Sequence, residues 1–409
     1  MSNIYIYGVS LKLMGYMMIE IDEITIVVGV AVLVVAAVAP FVNIFFRRPV
    51  VERTTDDNED SGCVADAVEN DTLPPVSIVL TPYENSEALE KSLPLFLGQK
   101  YSPGFQIVVV TSKGDSEIED VIKRYSDNPN LYSTYIPNSS RYVSRKKLAV
   151  TLGVKAAKNE WVVLTDAECC PNSELWLATM AANCTEHIDM VIGHTSYEES
   201  TPAYRCFERM FDEMYLFREG QLGTAYRTNG NNLMFRKSMF VAGDGYRGNL
   251  KFTRGEYDFL VNKYSKAGNV AIETHPHSWM TELEPTDKSW LDKHLHYMAN
   301  RKHMLRSLSH RLPYNIDQCL LHGNLLLIMA AIIYGAITQK WIIVAVASVA
   351  LLFTISIRPW LSARALKEFE VEIGKVKLLF FEYIVMWKKL ACLVKYHKTD
   401  KNEFMTHKV

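Results

Sequence analysis

The chain has 409 residues, 48% hydrophobic, 22% charged and 11% aromatic, room for two ordinary domains or for one α/β domain of about 230 residues with appendages. Forty-four Lys and Arg against 46 Asp and Glu leave a formal charge of −2, which argues against a nucleic-acid partner, whose phosphates call for a basic surface. Twenty Gly and 15 Pro without a low-complexity tract exclude a collagenous or wholly disordered chain.

After an N-terminal extension (1–23), residues 24–46 (ITIVVGVAVLVVAAVAPFVNIFF) carry no charge and are long enough to cross the ~30 Å bilayer core. The acidic flank (Glu20, Asp22, Glu23) and the length of the run argue for a transmembrane helix rather than a cleaved signal peptide. Arg47 and Arg48 follow it and place the next segment in the cytoplasm by the positive-inside rule. Residues 47–75 hold many acids with little to bury, and are expected to form a linker. Near the other end, 320–337 and 341–357 are apolar runs split by Thr338-Gln339-Lys340, which predicts a transmembrane hairpin over 320–357. Its flanks are basic (Arg301, Lys302, Arg306 and Arg311 before, Arg358, Arg364 and Lys367 after), so both ends are expected in the cytoplasm. The basic tail, 358–409, contains an apolar stretch, 376–394, interrupted by Glu382, Lys388 and Lys389, which predicts an amphipathic helix lying on membrane lipid. The seven cysteines (63, 169, 170, 184, 206, 319, 392) show neither CxxC nor zinc spacing and suit a reduced compartment.

Between the apolar segments the pattern alternates. Strands are predicted at 76–80, 106–110, 131–136, 161–165 and 189–193, and helices at 87–96, 116–125, 144–158 and 173–183. Such βαβα alternation implies an α/β domain with a mostly parallel, Rossmann-like sheet, whose ligands lie beyond the carboxyl ends of its strands. Directly after the strand at 161–165 stands Asp166-Ala167-Glu168. In extended chain these two carboxylates project from one face ~6–7 Å apart, and hard oxygen ligands at that spacing suit Mg2+ or Mn2+ shared with a diphosphate.

The order and wording of these elements resemble the family 2 glycosyltransferases over roughly residues 74–303, which places the domain itself at 76–303. VSIVLTPYENSEALEKSLPLFLGQKYSPGFQIVVV is similar to that family's opening strand, turn, helix and second strand. SRKKLAVTLGVKAAKNEWVVLTDAECCPNSELWLATM is similar to its "K..A...G...A....I...D.D..P...L" segment, NGNNLMFRKSMF to its "G.N..FRK" and RGEYDFLVNKYSKAG to its "GED" helix. The resemblance implies a GT-A catalytic domain with one N-terminal and two C-terminal transmembrane helices. It implies nucleotide-sugar binding by Pro82, Glu84, Lys147 and Asp166, a divalent cation on Asp166 and Glu168, and an acceptor side formed by Asn231, Asn232, Trp290 and His296.

Departures from the pattern are equally specific. Thr111-Ser112 stand where the family has Asp for the nucleotide base, and Tyr257 occupies the register of the general base, between Glu256 and Asp258. A tyrosine near pKa 10 is a poor base at neutral pH, so Asp258, or else Glu256, is expected to serve. Residues at the start of a helix project about 100° apart, so only one of these two acids is expected to face the acceptor. Lys293-His294-Leu295-His296-Tyr297 replace the QxxRW of processive synthases.

Together these readings predict inverting, metal-dependent transfer from a nucleotide-diphosphate sugar to a glycan or lipid-linked acceptor. The enzyme would be a multi-pass protein of the inner (plasma) membrane acting in polysaccharide biosynthesis at the cytoplasmic face. Lys146, Lys147 or His296 could help neutralise the diphosphate. The alternative is a catalytically impaired, glycosyltransferase-like binding or assembly subunit of an envelope glycan system, which the altered motifs favour and the retained acidic pair opposes.

Overall fold

A computed structural model describes residues 11–13, 17–19, 22–51, 72–137 and 144–404. Most of the expected acidic linker, together with Cys63, lies outside the described residues. In chain order, strands β1 (Leu11–Leu13) and β2 (Met17–Ile19) pair antiparallel, and helix α1 covers Glu23–Val42. Then follow β3 (Val76–Leu80), α2 (Ser86–Leu97), β4 (Phe105–Ser112), α3 (Ser116–Arg124), β5 (Leu131–Ile136), α4 (Arg145–Ala156), β6 (Trp161–Thr165) and β7 (Cys169–Pro171). The next are α5 (Trp176–Ala181), β8 (Met190–Gly193), β9 (Thr195–Tyr197), α6 (Ala203–Leu222), β10 (Leu233–Arg236) and α7 (Lys237–Ala242). The chain closes with α8 (Glu256–Tyr264), β11 (Val270–Glu273), β12 (Met280–Glu282), α9 (Asp287–Asn300), α10 (Leu308–Ile337), α11 (Trp341–Lys367) and α12 (Lys375–Lys398).

Two compact units result, one from residues 1–48 and 307–387, the other from 49–306 and 388–409. In the first, α1, α10 and α11 are long and apolar enough to cross a membrane, one near the N-terminus and two toward the C-terminus. Their common core is Val32, Ala36, Ile328, Ala331, Ile343, Ala347 and Ala350, small and β-branched residues that let helices approach closely. The outward faces remain apolar, with Val27, Val30, Leu326, Ile333, Val349 and Leu352 exposed. α10 begins at Leu308, twelve residues before the apolar run at 320, because the preceding stretch is helix-compatible though polar.

Buried among these helices is an ionic triad. Arg358 donates through Nη to Asp317 Oδ1 (2.9 Å) and through Nε to Glu382 Oε2 (2.8 Å), and Ser362 also donates to Glu382. Asp317, Arg358 and Glu382 are each at most 2% exposed. The stretch expected to lie on the surface as an interfacial helix therefore has, over its first part, a face buried in protein: Leu378, Glu382 and Val385, at helical spacing, are covered. Its opposite stripe, Val376, Phe380, Ile384 and Trp387, is exposed and apolar.

The second unit is built on a seven-stranded sheet of order β11-β8-β10-β6-β3-β4-β5. Every pairing is parallel except those of β10, which runs antiparallel to both β6 and β8. A three-stranded sheet, β7-β12-β9, stands beside it. β3 and β6 are buried along their whole length, which explains why they read as unbroken apolar runs. Helix α4 lies unusually close to β3, since a Cβ on Gly153 would come within 2.4 Å of Val79 Cγ1. That close approach is the physical content of the glycine in the helix pattern, and it brings the N-terminal turn of α4, with Lys146 and Lys147, near the carboxyl end of β6. Residues 388–404 complete this unit. Cys392, Tyr396 and Phe404 pack with Leu295, Met298 and Ala299 of α9, Lys389 pairs with Asp212 (2.5 Å), and Thr253 N–H donates to the Phe404 carbonyl (3.1 Å).

Candidate active site

Beyond the carboxyl end of β6 opens a cavity of about 240 Å³ bordered by Asp166, Glu168, Glu256, Tyr257, Asp258 and residues of α6 and α9. Asp166 accepts from the Lys146 ammonium and from Tyr257 Oη (3.0 Å). Burial opposes the Lys146 charge, but Asp166, Glu256 and Glu168 outweigh it and hold its pKa above the ordinary lysine value. Glu168 accepts from Asn85 Nδ2 (3.1 Å). Asn85 is also the N-cap of α2, its Oδ1 receiving the Ala88 N–H, so the turn after β3 reaches the carboxylate pair through a residue that the sequence marks only as a cap.

Both acids at the start of α8 border the cavity. The cavity surrounds this helix end, and five consecutive residues, 254–258, line it. Gly255, at φ 96°, makes the left-handed turn into α8, a conformation that glycine adopts without strain, and a Cβ there would strike Asn300 Nδ2 at 2.3 Å. Burial raises the pKa of Asp258 to about 6 against the pull of Arg227 and Lys293, with Arg227 Nη 3.9 Å away. Glu256 Oε2 is buried and has no hydrogen-bond partner among the described residues. Burial, then the Asp166 charge, pushes the Tyr257 phenol well above 10, so Tyr257 acts as a donor to Asp166 and cannot supply a base.

The other sequence candidates divide. Asn231, Trp290 and His296 border the cavity, and Asn231 Nδ2 reaches Cys169 Sγ (3.4 Å). His296 is pulled down to about 4 by burial and by Arg254, so it is neutral at pH 7 and offers no charge to a diphosphate. Asn232, expected on the acceptor side, is wholly buried instead. It donates to the carbonyls of His194 (3.0 Å) and Ser278 (2.8 Å) and accepts from Trp176 Nε1 (3.2 Å), tying β10 to its neighbours. Lys147, expected on the nucleotide, is also turned away: it is 1% exposed and donates to the carbonyls of Asn249 and Phe252. Pro82, buried, and Glu84, exposed at φ 49°, do not border the cavity either.

Sequence reasoning missed the opposite wall. Arg209 of α6 donates to Glu282 Oε2 (2.6 Å) while its guanidinium lies 4.2 Å over the Tyr197 ring. Arg227 lies 4.3 Å over Tyr297, and Lys293 approaches Glu282 at 3.9 Å. The only signal for Lys293 is its place in the altered QxxRW segment, and for Arg209 there is none in the local pattern.

Residues 77–240 match the family described as glycosyl transferase family 2. This segment is a family 2 glycosyltransferase domain. The mostly parallel α/β unit, with its acidic pair at the end of β6, accordingly has the GT-A architecture of that family. Among solved structures, the mannosyltransferase PcManGT from Pyrobaculum calidifontis in complex with GDP-Man and Mn2+ is similar at 15% identity over 91% of this chain and 98% of that one, with a TM-score of 0.49. TarS 1-349 of S. aureus in complex with UDP-GlcNAc is similar at 13% identity over 79% of this chain and 90% of that one, with a TM-score of 0.41. No curated protein is significantly similar in sequence.

Among the described residues no three His, Cys, Asp or Glu side chains converge as a metal cage. Asp166 and Glu168 are hard oxygen donors of a kind that suits a cation whose remaining ligands come from a diphosphate and water, the usual way of holding Mg2+. Lys146 marks the same spot as one where positive charge is stabilised.

Proposed function

We propose that the protein transfers a sugar, with inversion, from a nucleotide-diphosphate sugar to a hydroxyl of a glycan or lipid-linked acceptor at the cytoplasmic face of the plasma membrane. The observation that carries this reading is the meeting, around one cavity, of Asp166 and Glu168 with Asp258 and Glu256. Mg2+ or Mn2+ held by Asp166 and Glu168 would neutralise the departing diphosphate. Lys146 sits against Asp166 and keeps its charge, and can bind a phosphate oxygen as the leaving group develops negative charge. Tyr257 fixes the Asp166 carboxylate by its hydrogen bond. Asp258, with its pKa raised to about 6, is mostly deprotonated at neutral pH yet basic enough to take the acceptor proton. The acceptor oxygen then attacks the anomeric carbon in line as the bond to the diphosphate breaks, and a single displacement inverts that centre.

The alternative, a binding or assembly subunit without turnover, draws on the contact of Lys146 with Asp166, which gives the carboxylate a cation of its own. Isothermal titration of the detergent-solubilised protein against a panel of nucleotide diphosphates, with and without Mn2+, tests the donor site. The catalytic reading expects Mn2+-dependent binding of at least one nucleotide. No binding under either condition would refute it, and tight binding without transfer to any acceptor would favour the subunit.

A further inference from the structure

Two adjacent lysines at the start of α4 enter different surroundings. Lys146 meets Asp166, while Lys147 points into a closed cage. Its ammonium donates to the carbonyls of Asn249 (2.9 Å) and Phe252 (2.7 Å), and lies 4.9 Å from the ring centre of Phe259, 5.8 Å from that of Phe252 and 5.9 Å from that of Tyr246. Those rings are at most 3% exposed. A solvated lysine has no use for such surroundings. A buried ammonium, by contrast, must be hydrogen-bonded and faced by π-clouds to repay its lost hydration.

The carbonyls it grips belong to the segment that leads into Glu256. The same segment is held from α9, where Asn300 Nδ2 donates to the Arg254 carbonyl (3.0 Å), and from the far end of the chain, where the Phe404 carbonyl receives the Thr253 N–H (3.1 Å). Of these three holds, only Lys147 springs from the helix turn that also carries the partner of Asp166. We infer that Lys147 is a positioning residue for sugar transfer: by clamping residues 249–252 to α4 it sets the first turn of α8, with Asp258, at working distance from the donor-binding carboxylates. This rests on the catalytic reading above. It adds that the relative placement of base and donor is fixed by a buried cation that touches neither substrate. A displacement of about 1 Å at a reacting pair is enough to cost ~10²-fold in rate.

Lys147→Met in the full-length, detergent-solubilised protein keeps an unbranched apolar stem and removes the terminal ammonium with its three donors. The expected result has two parts. Amides of residues 249–258 exchange with deuterium at least tenfold faster than in the parent, while those of 161–165 are unchanged. Turnover with the cognate sugar nucleotide falls at least tenfold, with its dissociation constant within twofold of the parental value. Unchanged exchange at 249–258, or faster exchange with unaltered turnover in a parent that transfers sugar, would overturn the inference. If Lys147→Met does not yield folded protein, Phe259→Leu opens one wall of the cage and leaves both carbonyl bonds, and the same two readouts apply with a several-fold effect. Hydrogen exchange needs no sugar donor, so a parent that binds no nucleotide would refute the catalytic reading while the clamp is still decided by exchange.

Discussion

Asp258 joins two properties that pull against each other, burial and a working charge. Its pKa, about 6 in the folded protein, exceeds the unfolded value near 3.9. The associated stability is therefore fully present below pH 3.9 and is lost as pH rises through 6. Asp258→Asn, which imitates the protonated form, should raise the melting temperature at pH 7–8, corresponding to about 1–3 kcal/mol, with no gain near pH 4. The same substitution should lower turnover about 10²–10⁴-fold with nucleotide binding intact, and the parental rate should climb with pH through about 6 before levelling. A parental rate flat from pH 5 to 8 would move the base elsewhere. Asp166→Asn and Glu168→Gln each remove one anionic oxygen at nearly constant volume, and should each weaken Mn2+-dependent nucleotide binding by about 1–3 kcal/mol. Calorimetry reads this directly, and unchanged affinity in both variants would reduce the pair to a surface turn.

At the scale of elements, the Asp317–Arg358–Glu382 triad joins α10, α11 and α12 with three charges that water does not reach. Arg358→Met should leave two carboxylates buried without a counter-charge, at a cost of about 3–5 kcal/mol, read as a lowered thermal midpoint in detergent. Replacing all three residues by apolar ones of similar volume should recover most of that loss. What the sequence showed of the elements follows the range of the signal. β3, β5 and β6 match their predicted bounds because a short apolar run between turns is a local pattern. The helix expected at 173–183 is cut to Trp176–Ala181, since Cys169–Pro171 is drawn into pairing with β12, more than a hundred residues later. Within the site the same division holds. The place of Asp166 and Glu168 at the cavity follows from a local pattern, an acidic turn directly after the apolar strand β6. Arg209 and Lys293 meet at Glu282 only through tertiary packing, and no spacing within α6 or α9 encodes that meeting. Lys147 was misplaced because neighbouring lysines on a helix look alike until one is seen to point into a cage.

For the whole molecule, the charge flanking three apolar helices predicts one arrangement across the membrane: residues 49–310 and the carboxyl terminus in the cytoplasm, and residues 338–340 outside. A reporter active only outside the membrane, fused after Val409, should stay silent, and the same reporter inserted at Gln339 should respond. The opposite pattern would reverse the topology and remove the donor site from the cytoplasmic pool of sugar nucleotides.

The α/β unit draws its last piece, residues 388–404, from beyond the final apolar helices, and this fixes an order of events during synthesis. While the ribosome is still translating α10 and α11, α9 presents Leu295, Met298 and Ala299 without the side chains that cover them in the finished protein, and the segment before Glu256 lacks its bond from Phe404. The nascent site is therefore completed only after both apolar helices of the hairpin have left the ribosome. A chain that stalls or is released before residue 388 should be sticky and inactive, a proteolysis substrate rather than a stray soluble transferase.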